Sequence, residues 1–168
     1  MKPTPNVSLV LMTPACLDAL LDNDLGAAGA EIGLVLPPFF LQEAWLWRIR
    51  RDQLAADPGS QGWLVHAAIN DEDVTVGHAG FHGAPTGDGM VEVAYTVIPE
   101  QRGRGYAAAA LRALLTRAAT EAGVRMVRAT ISPDNAASLH IVRASDFVEV
   151  GEQWDDEDGL ELVFERSA

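Results

Sequence analysis

The sequence predicts a mixed α/β fold, and three observations lead to that prediction. The odd-numbered positions from Val91 to Val97 are β-branched or aromatic, which is the period-2 pattern of a strand. Residues 106–122 then change to helical spacing, with alanine and leucine on one stripe before Gly123. At 168 residues and 48% hydrophobic side chains, the chain has enough apolar surface for one domain spanning residues 1–168.

The other elements are predicted from the same two periods and from the turn-forming residues between them. Alternating or continuous apolar runs predict strands, four-residue apolar spacing predicts helices, and glycine, proline and acidic clusters predict turns. In order, the prediction is a strand at 8–12, a helix at 13–22, a loop at 24–38, a helix at 39–56, strands at 62–70, 74–82 and 90–98, a helix at 106–122, a strand at 124–131, a helix at 134–144, and strands at 147–154 and 160–165.

Two of these helices carry more detailed predictions. In the helix over 39–56, Leu41, Trp45 and Ile49 lie at four-residue spacing, so Trp45 is expected in the core. Trp47 lies roughly 200° around the helix from Trp45 and is expected on another face. Asp134 precedes the helix over 134–144 and is expected to be its N-cap.

The loop before the helix over 106–122 has the composition of an anion-binding site. Gly103 and Gly105 allow a sharp turn and a close approach of the backbone, and Arg102 and Arg104 add two positive charges. The N-terminus of the following helix offers unpaired N–H groups and the positive end of the helix dipole. The loop therefore predicts a site for a cofactor that contains a pyrophosphate.

The charge of the chain excludes some partners and favours others. The net charge is −12, which makes nucleic acid and anionic membranes poor partners and mildly favours a cationic substrate. Residues 100–128 nevertheless hold six arginines against two glutamates, a local excess that would attract an anionic cofactor. Residues 152–161 hold six acids and no base, which would attract a cationic acceptor or simply solvate a hairpin turn.

Several residue types give no sign of other chemistry. Cys16 is the only cysteine and is expected as a small core residue in a reducing compartment. His78 and His82 share one face of a strand, where a solvated face is expected rather than a metal site. The sequence shows no signal-peptide run and no stretch of membrane-spanning length, so a soluble, cytoplasmic protein is expected.

Two motifs in order resemble a known family. Residues 102–107 read Arg-Gly-Arg-Gly-Tyr-Ala, which resembles the Arg/Gln-x-x-Gly-x-Gly/Ala motif of the GNAT N-acetyltransferase superfamily. The longer stretch VEVAYTVIPEQRGRGYAAAALRALL and residues 133–138, Pro-Asp-Asn-Ala-Ala-Ser, look like the subgroup that contains the ribosomal-protein N-terminal acetyltransferases. The resemblance covers about residues 77–151 well.

The resemblance implies a fold, a cofactor and a reaction. The fold is a mixed, mostly antiparallel sheet of about seven strands, splayed between the fourth and fifth strands and flanked by helices. The cofactor is acetyl-CoA, and the reaction is direct attack on its thioester by a primary amine of a small molecule or a protein N-terminus. Members of the family often pair, so a homodimer is an expected state.

The resemblance also assigns candidate residues to roles. Glu92 is the first candidate for the base, acting directly or through water, because its own position is on the cofactor strand among apolar neighbours. His78 and His82 are weaker candidates, and Ser138 is the candidate for the acid that the resemblance implies. Many relatives carry a tyrosine seven residues after the motif asparagine, but this position is Val142 here. The predicted cofactor-binding residues, which include a backbone donor near Val97 and the side chain of Asn135, are Tyr95, Val97, Arg102, Gly103, Arg104, Gly105, Tyr106, Ala107 and Asn135.

Other interpretations of the loop fit less well. Residues 103–108 match a dinucleotide fingerprint, but the next strand does not end in the acidic residue that this fingerprint requires. No Gly-Lys-Ser/Thr follows, which excludes a Walker loop. A plain glycine turn explains the glycines but not the two arginines. Because of Val142, a CoA-binding sensor or interaction module without turnover remains the alternative function.

Overall fold

A computed structural model describes residues 4–168 of the chain. The strands are β1 (Ser8–Leu11), β2 (Val65–Ile69), β3 (Thr75–Phe81), β4 (Met90–Val97), β5 (Met126–Ile131), β6 (Val148–Asp155) and β7 (Gly159–Ser167). The helices are α1 (Pro14–Leu21), α2 (Leu25–Ile32), α3 (Phe39–Gln42), α4 (Ala44–Ala56), α5 (Tyr106–Thr120) and α6 (Ala136–Arg143), with short 3₁₀ turns at Pro58–Ser60 and Pro99–Gln101. None of the helices within the described range is long and apolar enough to cross a membrane.

The seven strands form one sheet in the order β1-β2-β3-β4-β5-β7-β6. Every neighbouring pair is antiparallel except β4 and β5, which run parallel. The β4–β5 pairing covers only Met90, Val91 and Glu92 against residues 126–128, and the two strands separate beyond that point. The predicted mixed sheet that splays between its fourth and fifth strands is therefore confirmed.

Two apolar cores cover the two faces of the sheet. The first core joins α5 and α6 to the central strands, and its fully buried members include Val91, Leu111 and Leu114. The second core joins α1–α4 to the strands of the first half, with Leu17 and Phe40 fully buried. Burial of apolar surface on both faces holds β3 and β4 between two helical layers.

The predicted loop over residues 24–38 contains a helix, α2, that the sequence analysis missed. Asp24 caps it by accepting a hydrogen bond from the Ala27 amide at 2.9 Å, and Gly33 ends it in the left-handed region with φ 71°. Gly29 lies mid-helix because a Cβ there would stand 2.3 Å from the Leu34 carbonyl oxygen. The glycines that suggested a loop thus serve a cap and a close backbone contact.

The predicted burial of the two tryptophans in α4 is wrong. Trp47 is fully buried, whereas Trp45 is 55% exposed. The Trp47 ring stacks on Phe40 with centroids 5.6 Å apart, and its Nε1 donates to the Phe40 carbonyl oxygen at 2.6 Å. The reason is a break at Glu43 that separates α3 from α4, so the spacing from Leu41 does not continue through α4.

This difference in burial predicts a difference in stability. We expect Trp47→Ala to lower the free energy of unfolding by about 3–5 kcal/mol, because it removes a buried ring and leaves a cavity. The matched change Trp45→Ala should cost less than about 1 kcal/mol, since half of that side chain already faces water. Urea unfolding followed by circular dichroism measures both values. Equal losses in the two variants would contradict the packing described for α4.

Candidate active site

The separation of β4 from β5 opens a cleft of about 600 Å³. One wall is formed by α4 and β3, the floor by the diverging strands, and the opposite rim by the start of α6 and the turn between β6 and β7. The polar side chains among its lining residues are Glu43, Arg50, His78, His82, Tyr95, Thr96, Thr130, Ser132, Asn135, Ser138, Asp155, Glu157, Asp158 and Glu161. The cleft is therefore mostly acidic, with Arg50 as its cation on the helical wall.

The glycine-arginine loop has the backbone geometry that the sequence predicts. Gly103 and Gly105 have φ angles of 72° and 87°, in the region that other residues rarely adopt. Gly105 is the N-cap of α5 and offers no side chain to cap it. The first amide bonded along the helix is that of Ala109, which donates to the Gly105 carbonyl oxygen at 3.1 Å.

The amides of residues 103–108 are therefore available to a ligand. Within residues 4–168 they have no backbone acceptor, as expected for the first turn of a helix. Arg104 is exposed beside them, and Arg102 Nε donates to the Val97 carbonyl oxygen at 3.0 Å. A Cβ at Gly105 would lie 3.3 Å from the ring of Pro5, so a larger residue would crowd the loop. Free amides, small residues and two arginines fit a diphosphate.

A second group of predicted residues lies where the cleft meets α6. Asn135, not the predicted Asp134, caps α6: its Oδ1 accepts from the Ser138 amide at 3.1 Å, which leaves its side-chain N–H groups for a ligand. The Tyr95 hydroxyl is buried and has no hydrogen-bond partner in the part of the chain that the structure describes. Burial raises the pKa of Tyr95, and the nearby Ser138 hydroxyl offsets part of that rise.

His82 and Glu92 form a pair across β3 and β4. His82 Nδ1 lies 3.6 Å from Glu92 Oε1, and the same oxygen accepts from Thr130 Oγ1 at 2.6 Å. His82 and Thr130 line the cleft and Glu92 lies behind them, with 19% of its side chain exposed. Desolvation at the cleft mouth lowers the pKa of His82, and the Glu92 charge offsets part of that effect. The His82 side chain is 48% exposed, so its ring is open to solvent and to the cleft.

His78 and Cys16 have structural positions. The sequence analysis expected His78 on a solvated face, but the side chain is buried under α4. Its Nε2 lies 3.1 Å from Glu43 Oε2, and its ring packs edge-on against the Trp47 ring. Burial raises the pKa of the Cys16 thiol to about 11, so it stays protonated. Residues 4–168 contain no group of three or more His, Cys, Asp or Glu placed to hold a metal ion.

The structure brings the predicted site residues into two neighbouring places. Tyr95, Asn135 and Ser138 line the cleft itself. The segment 102–107 lies at the start of α5, beyond the end of β4, and Val97 borders it through the Arg102 hydrogen bond. Val142, at the position where relatives carry a tyrosine, is fully buried in the core. The sequence analysis missed Arg50, because an arginine in an amphipathic helix is ordinarily solvated.

The fold and the cleft define an acyltransferase class, and comparison with known proteins agrees. Residues 22–148 match the acetyltransferase (GNAT) domain family. The chain belongs to this family, and membership implies acetyl-CoA as the acetyl donor. Among curated proteins, the chain is 36% identical over 141 residues to an L-2,4-diaminobutyric acid acetyltransferase of Streptomyces coelicolor, covering 77% of this chain and 75% of that protein.

Two solved structures share the fold at low identity. The spermidine/spermine N-acetyltransferase SpeG of Vibrio cholerae aligns with a TM-score of 0.65 and 13% identity, over 96% of this chain and 94% of that chain. RimJ of Mycobacterium smegmatis, in complex with CoA-disulfide, aligns with a TM-score of 0.65 and 19% identity, over 96% of this chain and 82% of that chain. These similarities extend the fold over nearly the whole chain.

The exposed Arg104 gives a direct test of the diphosphate site. We expect Arg104→Ala to weaken CoA binding about five- to tenfold at low salt, because a charge-assisted contact to phosphate is lost. The loss should shrink at 0.5 M salt, since exposed charges are screened. The control Arg48→Ala removes an exposed arginine of α4 that does not line the cleft. Calorimetric titration that gives the same affinity for Arg104→Ala and wild type at low salt would contradict this placement.

Proposed function

We propose that this protein is an acetyl-CoA-dependent N-acetyltransferase that acts on a primary amine by direct attack, with residues 1–168 acting as one domain. One observation supports the proposal most directly: β4 and β5 part beside a cleft lined by His82, Tyr95 and Ser138, and the chain that leaves β4 continues to the free amides at the start of α5. When bound, acetyl-CoA would supply an acetyl group activated as a thioester. The residues of the chain would bind the diphosphate, orient the amine and move two protons.

His82 is the proposed base, with Glu92 positioned behind it. An acceptor amine is protonated at neutral pH, with an ordinary pKa of about 8 for an α-amine and about 10.4 for a lysine-like amine. It must lose its proton before attack, and the His82 ring reaches the cleft where Glu92 does not. Glu92 would orient the ring and stabilise the imidazolium. In this arrangement Glu92 positions His82, whereas the sequence analysis named Glu92 itself as the first candidate for the base, acting directly or through water.

Tyr95 and Ser138 are the proposed proton donors on the cofactor side. The departing sulfur needs a proton, and the raised pKa of Tyr95 keeps its phenol protonated throughout the neutral range. Its hydroxyl is buried beside the Ser138 hydroxyl and makes no other hydrogen bond within residues 4–168, so it would reach the sulfur directly or through Ser138. Ser138, the donor that the resemblance implies, lies beside it and would relay or orient that proton. Together they would replace the tyrosine that is absent at Val142.

The acceptor is proposed to be a primary amine of a small molecule, with a protein N-terminus as the second candidate class. The acidic rim of the cleft, from Asp155 to Glu161, favours a cationic acceptor. The relatives point to two different chemistries, a diamino acid and a polyamine. Similarity to RimJ keeps the ribosomal-type subgroup among the candidates. A homodimer, as is frequent in the family, is the proposed assembly.

Thiol release separates an enzyme from a CoA-binding module. We expect the wild-type protein to release CoA from acetyl-CoA with at least one acceptor from a panel of diamino acids, polyamines, aminoglycosides and N-terminal peptides. Tyr95→Phe should lower kcat about 100-fold with unchanged CoA affinity, while Ser138→Ala lowers it only a few-fold. The reverse order would assign the proton to Ser138. Saturable CoA binding without release from any acceptor would favour the module.

The pH dependence of kcat/KM distinguishes the two candidate bases. A base works only when deprotonated, so if His82 is the base we expect kcat/KM to rise with pH through a pKa below the ordinary histidine value of about 6.5 and then level off. Glu92→Gln removes the charge that raises the pKa of His82, so this limb should move to lower pH.

Substitutions of His82 and of a control histidine complete this test. His82→Gln should abolish the limb and lower kcat about 100-fold. The control His140→Gln replaces an exposed histidine of α6 outside the cleft and should leave the profile unchanged. If Glu92→Gln is inactive while His82→Gln keeps the wild-type profile, then Glu92 itself is the base, as the sequence analysis predicts.

A further inference from the structure

Arg50 is buried in the wall of the cleft, and the fold provides no close counter-ion for its charge. It lies on α4 on the same side as the buried Trp47 and Leu54, and it is only 7% exposed. Arginine is almost never this buried unless it is paired with an anion. Arg50 nevertheless lines the cleft that an acceptor would enter.

The protein holds the guanidinium group in place but does not neutralise it. Nη1 of Arg50 donates to Gln53 Oε1 at 2.7 Å, and Gln53 Nε2 donates to the His82 carbonyl oxygen at 2.8 Å. No carboxylate within residues 4–168 lies within 4.0 Å of Arg50. A guanidinium group has five N–H donors, and this bond to a neutral amide uses one of them.

The acids around Arg50 already have other partners. Glu92 contributes an attractive charge, but its Oε1 is shared between Thr130 and His82. Glu43 lies against His78, at 3.1 Å. Burial lowers the pKa of Arg50, in keeping with a cation that lacks a close counter-ion. A buried charge without a counter-ion destabilises the folded protein, so a ligand anion at this position would offset that penalty.

We propose that Arg50 binds a carboxylate of the acceptor, so that the substrate is an amino acid rather than a simple amine or polyamine. This inference rests on the proposed transferase function and narrows its acceptor class. The planar guanidinium group suits bidentate contact with a carboxylate. Its position on α4, joined through Gln53 to the backbone of His82, places the bound carboxylate on the same wall as the proposed base.

The opposite rim suits the rest of such a molecule. Asp155 Oδ1 accepts from the amides of Glu157 and Asp158, both at 2.8 Å, and these bonds lower the pKa of Asp155 and keep it ionised. The rim is therefore anionic while Arg50 is cationic. A side-chain ammonium would lie toward the rim and the carboxylate toward α4. A basic amino acid with two amines meets both conditions.

The test compares acceptors that differ only by the carboxylate. Ornithine is paired with 1,4-diaminobutane, and 2,4-diaminobutyrate with 1,3-diaminopropane, and KM and kcat are measured for each with wild-type protein, Arg50→Gln and Arg48→Gln. We expect wild type to favour the amino acid of each pair at least tenfold in kcat/KM. Arg50→Gln should erase that preference by raising KM for the amino acids alone. Arg48→Gln, which changes an exposed arginine outside the cleft, should keep it.

Failure of this inference is distinguishable from failure of the function. If the diamines are acetylated as well as the amino acids, or if Arg50→Gln slows both members of a pair equally, the carboxylate site is wrong and the transferase proposal stands. Calorimetric titration of wild-type protein with each amino acid and its diamine gives a readout without turnover. Equal binding within each pair would overturn the inference, even if Arg50→Gln failed to fold.

Discussion

The short pairing between β4 and β5 determines where the cleft of this protein lies. β4 is held by β3 over five register pairs and β5 by β7 over six, but the two strands are joined to each other over only three. Because each follows its own antiparallel neighbour, the parallel pairing stops at Glu92, and the backbone beyond it faces a cleft. The start of α6 lines this cleft through Asn135 and Ser138, while α5 begins beyond the end of β4.

The start of α5 and the turn between β6 and β7 differ in charge. The start of α5 combines free amides and arginines, which suit a diphosphate, whereas the turn between β6 and β7 is acidic. Burial lowers the pKa of His82 and raises that of Tyr95, and both side chains line the cleft. In the proposed reaction His82 would accept the proton of the amine and Tyr95 would donate one to the departing sulfur.

Strand β4 and the loop before α5 were predicted well from the sequence, because the period-2 pattern and the glycine-arginine pattern there each have a single structural interpretation. The mixed sheet and the conformation of Gly103 and Gly105 are as expected. The helices before β2, including the α4 wall of the cleft, were predicted poorly. The break at Glu43 reverses the burial of Trp45 and Trp47, and the glycines of α2 suggested a loop. A buried arginine cannot be recognised from a helical pattern, since its burial depends on strands that are distant in the sequence.

If CoA binds as proposed, its diphosphate contacts the free amides before α5 while the rest of the ligand enters the split between β4 and β5. The amide spectrum of ¹⁵N-labelled protein during titration with CoA tests this placement residue by residue. We expect saturable shifts at Gly103, Gly105 and Tyr106, with smaller shifts at Ala94 and Tyr95. Saturation of CoA binding with these signals unmoved, and shifts confined to another surface, would contradict it.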